Sequence, residues 1–324
     1  MQSLSSYHQL IEKQIADSIY PNHPIELYEP ISYLMAIGGK RLRPSLVLMA
    51  CEAVGGDIQK ALKPALAIEV FHNFTLMHDD IMDNAPLRRG KLTVHEKWNK
   101  NTAILSGDVM LVEAYKLLLD VEPTHLKQTL EIFNNTAAAV CEGQQLDMNF
   151  ETISHVSIPE YIEMISLKTA VLLAASLQIG SLIGNADEQT LNHLHEFGKN
   201  MGIAFQLQDD LLDVYEDPDK FGKKVGGDIL TNKKTFMLIS AIELAKDDLL
   251  TQLNYLLAIK EFEESEKINS IIEIYDQLGI RSLAELEIDR YFSIAIENCN
   301  ALAISQLAKD HLLQFAERLM IREK

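Results

Sequence analysis

Apolar residues recur at helical spacing along almost the whole chain, and the strict alternation of a half-buried strand is found almost nowhere. That pattern restricts the fold to packed helices. Glycine and proline fall mainly between the periodic stretches, at Pro21, Pro24, Gly38-Gly39, Gly55-Gly56, Pro86, Gly90, Pro123, Pro159, Gly184, Gly226-Gly227 and Gly279, where they act as breaks. The intervals predict helices near 4–19, 25–37, 42–54, 58–83, 100–119, 123–150, 159–183, 187–216 and 229–247, with more toward the C-terminus. A chain of 324 residues has room for two domains. No linker, low-complexity tract or repeat of fixed period divides it, so a single all-α domain is expected, a helical bundle over 1–324.

Two segments stand out against this helical background. Asp79-Asp80-Ile81-Met82-Asp83 is trailed by Arg88-Arg89, and Asp209-Asp210-Leu211-Leu212-Asp213 is trailed by Lys223, Asp228, Lys233 and Lys234. Each places carboxylates at i, i+1 and i+4, so on a helix the first and last aspartates share a face and repel. An acidic run on a solvated helix face is the ordinary explanation. The flanks argue otherwise: Val70 to Met77 before the first segment and Ile203 to Leu207 before the second are largely apolar, which implies burial beneath the acids. Hard divalent ions with oxygen ligands would relieve the repulsion, and the trailing cations suit a polyanion that completes the coordination, as phosphates do for Mg²⁺. An EF-hand is excluded for the second segment, because no glycine stands at the sixth loop position.

The net charge of −18 speaks against general affinity for nucleic acid or an anionic membrane surface, so the basic residues near the two segments are local exceptions. Cys51, Cys141 and Cys299 are odd in number and widely separated, which predicts buried thiols in place of a disulfide framework or zinc site. The N-terminal sequence lacks the pattern of a signal peptide, and the most apolar stretch, 169–184, is shorter than the roughly 20 residues of a membrane span. A cytoplasmic protein with no integral membrane segment is expected.

Further polar residues sit where a helical core would not place them without a purpose. Gly38-Gly39-Lys40-Arg41-Leu42-Arg43-Pro44 reads as a connection between two helices. It also puts three cations at a helix N-terminus, a ready site for an anion held without metal. His72 lies two turns before Asp79, where it could be a ligand-facing donor, but taken by itself it reads as a core histidine. Lys168-Thr169, Gln206 and Gly143-Gln144-Gln145-Leu146-Asp147 interrupt apolar helices, where each is either a satisfied core group or part of a pocket wall.

Taken together, GGKRLRP at 38–44, HDDIMDNAPLRRG at 78–90, GQQLD at 143–147, KTA at 168–170, FQLQDDLLD at 205–213 and GKKVGGDI at 222–229 resemble, in this order, the motifs of trans-isoprenyl diphosphate synthases, the polyprenyl synthetase family. After about residue 240 only helical character matches. The resemblance implies a helical bundle with a central apolar cavity and a Mg²⁺-dependent prenyltransferase that condenses isopentenyl diphosphate with dimethylallyl, geranyl or farnesyl diphosphate. By the same resemblance Asp79, Asp83 and Asp209 coordinate three Mg²⁺ ions, with Asp147 and Asp213 as auxiliary metal carboxylates. Asp80, Asp210, Lys168, Thr169 and Gln206 are implied as catalytic residues. Arg88, Lys168, Lys223 and Lys233 would clamp the allylic diphosphate, and Lys40, Arg43, His72 and Arg89 would bind isopentenyl diphosphate. Arg322 and Lys324 are candidates for a basic C-terminal contribution to that second site. A homodimer is expected on the same ground.

Product length should follow from bulk beneath the first motif. Thr75 lies one turn before Asp79, about 6 Å deeper along the helix, and Phe74 precedes it. An aromatic residue five positions upstream, a small one at four and no insertion inside DDIMD resemble geranylgeranyl-type synthases, so C20 is expected, with C15 farnesyl diphosphate as its nearest competitor. Other readings are a terpene cyclase, which needs neither GGKRLRP nor a second full DDxxD; a phosphohydrolase, which would want more histidines; and a non-catalytic helical partner subunit, which typically lacks one aspartate motif.

Overall fold

The computed structural model describes residues 2–215 and 226–321. Along the chain run α1 Leu4–Ala16, α2 Ile25–Ala36, α3 Leu42–Ala53, α4 Ile58–Met82, a hairpin of β1 Leu87–Arg88 and β2 Lys91–Leu92, α5 Val94–Lys97, α6 Lys100–Leu118, α7 Pro123–Thr152 and α8 Ile158–Ile165. A π turn, Ser166–Ala170, continues α8 into α9 Val171–Ile183, followed by α10 Glu188–Tyr215. Then come α11 Gly227–Leu230, α12 Phe236–Leu244, α13 Asp247–Ala258, α14 Glu264–Gln277, α15 Ile280–Ala301 and α16 Gln306–Ile321. The all-α expectation holds, and most helix ends fall within a few residues of the predicted ones.

Local chemistry accounts for several boundaries. Asp57 caps α4 by accepting from Gln59 N at 3.0 Å, and Asn99 caps α6 through Thr102 N at 2.9 Å. Ser157 and Glu160 form a capping box at the start of α8. The predicted helix over 229–247 is instead broken between α11 and α12, where Asn232 adopts a φ of 53° and Thr235 caps the next helix. The hairpin was not expected. Its turn residues Arg89 and Gly90 both have positive φ, 51° and 73°, as a two-residue type I′ turn requires.

Backbone contacts gather the chain into two compact units: residues 1–134, 175–195 and 302–312 form the first, and 135–174, 196–301 and 313–324 the second. No linker marks the division because the chain passes from one to the other inside α7, inside the helix over 158–183 and inside α10. The first unit is built around α4, which packs on α3 and α6 and buries Ala65, Leu66, Ala67, Ile68, Val70 and Phe71. In the second, Tyr161, Met164 and Ile165 of α8 join Ile203, Leu207 and Leu211 of α10 and the apolar faces of α12, α14 and α15 in one cluster.

Two smaller expectations change. With its π turn included, the helix from Ile158 to Ile183 is 26 residues long and apolar enough to cross a membrane, longer than the apolar stretch read from sequence. Buried over 61% of its most apolar window, it is a core helix. Cys51 and Cys299 are buried as expected, whereas Cys141 lies on the exposed face of α7; none is in a disulfide.

Candidate functional site

In the first unit the aspartate motif ends α4. Asp83 is the C-cap and is exposed, Asp79 is half-buried, and Asp80 is buried at 2% exposure. The hairpin returns Arg88 to Asp80: Nε donates to both carboxylate oxygens at 2.9 and 2.8 Å, and Nη2 to Oδ1 at 2.6 Å. Asp80 was expected to be catalytic. The geometry makes it the anchor of Arg88, which leaves the outer pair Asp79 and Asp83 on the open end of the helix.

A second group of cations assembles around the N-terminus of α3. Arg41, one of the three cations of the segment 38–44, adopts a left-handed φ of 47° and is buried. It donates to Glu12 at 2.7 Å, to the buried Glu69 at 2.6 Å and to Met35 O at 2.7 Å. Burial opposes its charge, but Glu69 and Glu12 outweigh that and push its pKa up. Fixed in this way, Arg41 sets the loop that carries Lys40 and Arg43.

Arg43 Nη1 donates to His72 Nε2 at 3.2 Å, so that ring nitrogen is the acceptor and the imidazole is neutral. Burial, followed by Arg43, Arg89, Arg88 and Arg41, holds the His72 pKa well below its ordinary value. Burial, with Glu69 opposing and Arg89 adding to it, lowers the Arg43 pKa to about 10. The Arg43 Nε is buried with no hydrogen-bond partner. Arg89 lies against Gly39, where a Cβ would stand 2.5 Å from Nη1, and Lys40 is exposed at the same loop. Four arginines, a neutral histidine and an unfilled guanidinium nitrogen are chemistry for an anion.

Phe74 and Thr75 lie on α4 below the motif. The Phe74 ring is held between Phe71, 5.7 Å away, and His78, 4.8 Å away, and Thr75 turns its hydroxyl to His72 O at 2.8 Å.

In the second unit the motif lies near the end of α10. Asp209 and Asp213 are half-buried, while Asp210 is buried at 4% exposure. Tyr161 OH and Gln206 Nε2, the latter at 2.9 Å, donate to Asp210. Asp210 is thus a second buried anchor where a catalytic carboxylate was expected. Burial raises its pKa to about 6, with Lys233 pulling the other way. Asp213 Oδ2 accepts from Asp228 N at 2.9 Å. Lys168 Nζ donates to Asp147 at 2.6 Å, and Thr169 Oγ1 to Gln206 Oε1 at 3.2 Å. Lys233 stands 3.7 Å from Asp228. Although burial works against it, the Lys233 pKa is raised by Asp210, Asp228, Asp147 and Asp213.

These donors fit a hard divalent ion. Four carboxylates bear on one lysine, and they offer oxygen only. No group of three His, Cys, Asp or Glu side chains is preassembled as a metal centre among the described residues. Lys223, Arg322 and Lys324 lie outside the described residues. A cavity of about 420 Å³ in the second unit is lined by Ile162, Leu167, Lys199, Asn200, Ile203 and Tyr291 among others and includes no residue of either aspartate motif.

Tyr161 and Glu69 were missed for different reasons. Tyr161 is 49 positions from its partner, with no local signal. Glu69 did carry one, an acid inside an apolar helical run.

The sequence profile of the polyprenyl synthetase family matches residues 24–275. The chain is 43% identical over 230 residues, 70% of its length and 71% of the other's, to a geranylgeranyl diphosphate synthase of Methanosarcina mazei. It is 36% identical over 324 residues, covering 100% of this chain and 98% of the other, to a short chain isoprenyl diphosphate synthase of Methanothermobacter thermautotrophicus. Its fold is similar to a crystal structure of a geranylgeranyl pyrophosphate synthase, with a TM-score of 0.95, 43% identity and 100% coverage of both chains.

Proposed function

Because this chain belongs to the polyprenyl synthetase family, we propose that it is a Mg²⁺-dependent trans-prenyltransferase that joins isopentenyl diphosphate to allylic diphosphates and delivers C20 geranylgeranyl diphosphate. One observation carries the reading. The chain holds two kinds of diphosphate chemistry: oxygen donors with basic partners at Asp79, Asp83, Asp209 and Asp213, and a metal-free cation group at Lys40, Arg43, His72 and Arg89.

Asp79, Asp83, Asp209 and Asp213, with Asp147, are the residues to hold the metal, as three ions when substrate is present. When bound, Mg²⁺ neutralises the charge of the departing diphosphate. Arg88, Lys168 and Lys233 bind the allylic diphosphate, each pre-oriented by a carboxylate: Asp80, Asp147 and Asp228. Arg43 and Arg89 orient isopentenyl diphosphate, with His72 kept neutral so that its Nε2 holds the Arg43 fork in place. The Thr169 hydroxyl and Gln206 amide offer dipoles to the allylic cation without attacking it, and the apolar turns beneath the motifs exclude water. The departing diphosphate takes the final proton.

Phe74 is proposed as the floor for the growing tail, held by the rings of Phe71 and His78. Phe74→Ala should shift the products beyond C20 on chromatography; an unchanged distribution removes Phe74 from that role. A homodimer in the cytoplasm belongs to the same proposal, and the exposed Ile104, Leu105 and Val112 on α6 support a covered face there. The function is tested by incubation with Mg²⁺, labelled isopentenyl diphosphate and farnesyl diphosphate: a C20 diphosphate is expected, and no chain extension from any allylic starter would overturn it.

A further inference from the structure

The π turn at Ser166–Ala170 is docked from two sides in the same way. On α7, Gly143 lies against the Lys168 backbone, where a Cβ would meet Lys168 N at 2.3 Å and Cα at 2.7 Å. One turn later on the same face, Asp147 takes Lys168 Nζ at 2.6 Å. On α10, Gly202 lies against Ala170, where a Cβ would stand 2.6 Å from Cα and 2.7 Å from Cβ. One turn later, Gln206 takes the Thr169 hydroxyl at 3.2 Å. Each helix therefore presents a glycine that admits the backbone and, four residues on, a polar group that catches the side chain.

A π turn is rare and is found mostly at functional sites. Here Val171 N bonds to Ser166 O, five residues back, which takes a carbonyl of the turn out of the α-helical ladder. Such a turn needs external support to keep its depth, and the two glycines supply it by leaving no room for sliding.

We infer that Gly143 and Gly202 are positioning residues for the condensation, setting the depth of the π turn so that Lys168 and Thr169 meet the reacting end of the allylic substrate. The inference rests on the prenyltransferase reading above. A displaced turn would spoil alignment in the transition state while leaving isopentenyl diphosphate at its own cation group.

The test compares Gly143→Ala and Gly202→Ala with a control, Gly180→Ala, whose Cβ would meet Val47 O at 2.0 Å in the contact of α9 with α3, away from the turn. Thermal melts give the folded fraction, steady-state kinetics give kcat and both KM values, and chromatography separates the prenyl diphosphate from the allylic alcohol that forms when water captures the cation. In the first two variants kcat should fall about 100-fold, the scale of a misplacement near 1 Å, with the isopentenyl diphosphate KM unmoved and a larger share of alcohol. The control should lose thermal stability and keep the kcat of its folded fraction. If the two alanine variants keep wild-type kcat, or if the isopentenyl diphosphate KM rises in step with the fall in kcat, the inference fails. Should one alanine variant not fold, the other carries the test, and wild-type kcat in its folded fraction overturns the inference. Wild-type protein that makes no prenyl diphosphate would overturn the proposed function instead.

Discussion

In α4 the middle aspartate of the motif, Asp80, is buried and bound by Arg88, eight residues ahead in the chain; in α10 the equivalent Asp210 is buried and held by Tyr161 and Gln206, neither of them charged. The spacing of the two motifs is the same and the outer aspartates of both are more open than the middle one. Their supports differ. The first motif is finished locally, by a hairpin that returns a cation, whereas the second depends on a tyrosine from another helix. A buried carboxylate beside a guanidinium stays charged at the expense of fixing that cation. One held by neutral donors has only Lys233 nearby to offset burial, and its pKa climbs.

The largest expected effect tests what the motifs share. Asp79→Ala and Asp209→Ala should each lower kcat by about 10³-fold or more, the scale for loss of a preorganised charge-stabilising group. Less than a tenfold loss in either, by steady-state assay with saturating Mg²⁺, would break the equivalence of the outer aspartates. Next comes the contrast of the supports. Asp80→Asn leaves Arg88 without its partner and should cost about 3 kcal/mol in urea unfolding; Asp210→Asn exchanges one neutral hydrogen bond and should cost about 1 kcal/mol. Equal losses would erase the distinction. The smallest effect is a slope. In the unfolded chain the Asp210 carboxyl titrates near 3.8 and in the folded one at about 6, so between these values the folded state holds the extra proton and stability falls as pH rises. In metal-free buffer the wild type should lose about 1 kcal/mol per pH unit relative to Asp210→Asn across that window. A flat difference would show that Tyr161 and Gln206 fully satisfy the charge.

The helices and the aspartate motifs were legible because each is written locally, in apolar period, caps and runs of like charge. The cation group at α3 was legible for a similar reason: Gly38-Gly39 and Pro44 mark the helix junction and the basic residues stand inside it. The roles of Asp80 and Asp210 were not. At i+1 in each motif they look like their neighbours, and only the helix rotation, together with a hairpin in one case and Tyr161 in the other, turns them inward. The π turn was illegible too: Lys168 and Thr169 stood out as polar residues in an apolar helix, but nothing in Ser166 to Ala170 marks a wider turn. The division into two units left no mark because four of its five boundaries fall within helices, and the fifth lies at the end of α15.

That division bears on how the protein comes into being. The first unit includes residues 302–312, whose Leu302, Ala308 and Leu312 are buried. Its core is therefore incomplete until nearly the whole chain has left the ribosome. During synthesis the apolar helix over 158–183 can meet α3, already made, through Gly180 and Val47, but its partners on α12, α14 and α15 arrive only later. A nascent chain with such a segment uncovered is prone to aggregate, so the interleaving that conceals the boundary between the units also commits the protein to fold late and all but whole.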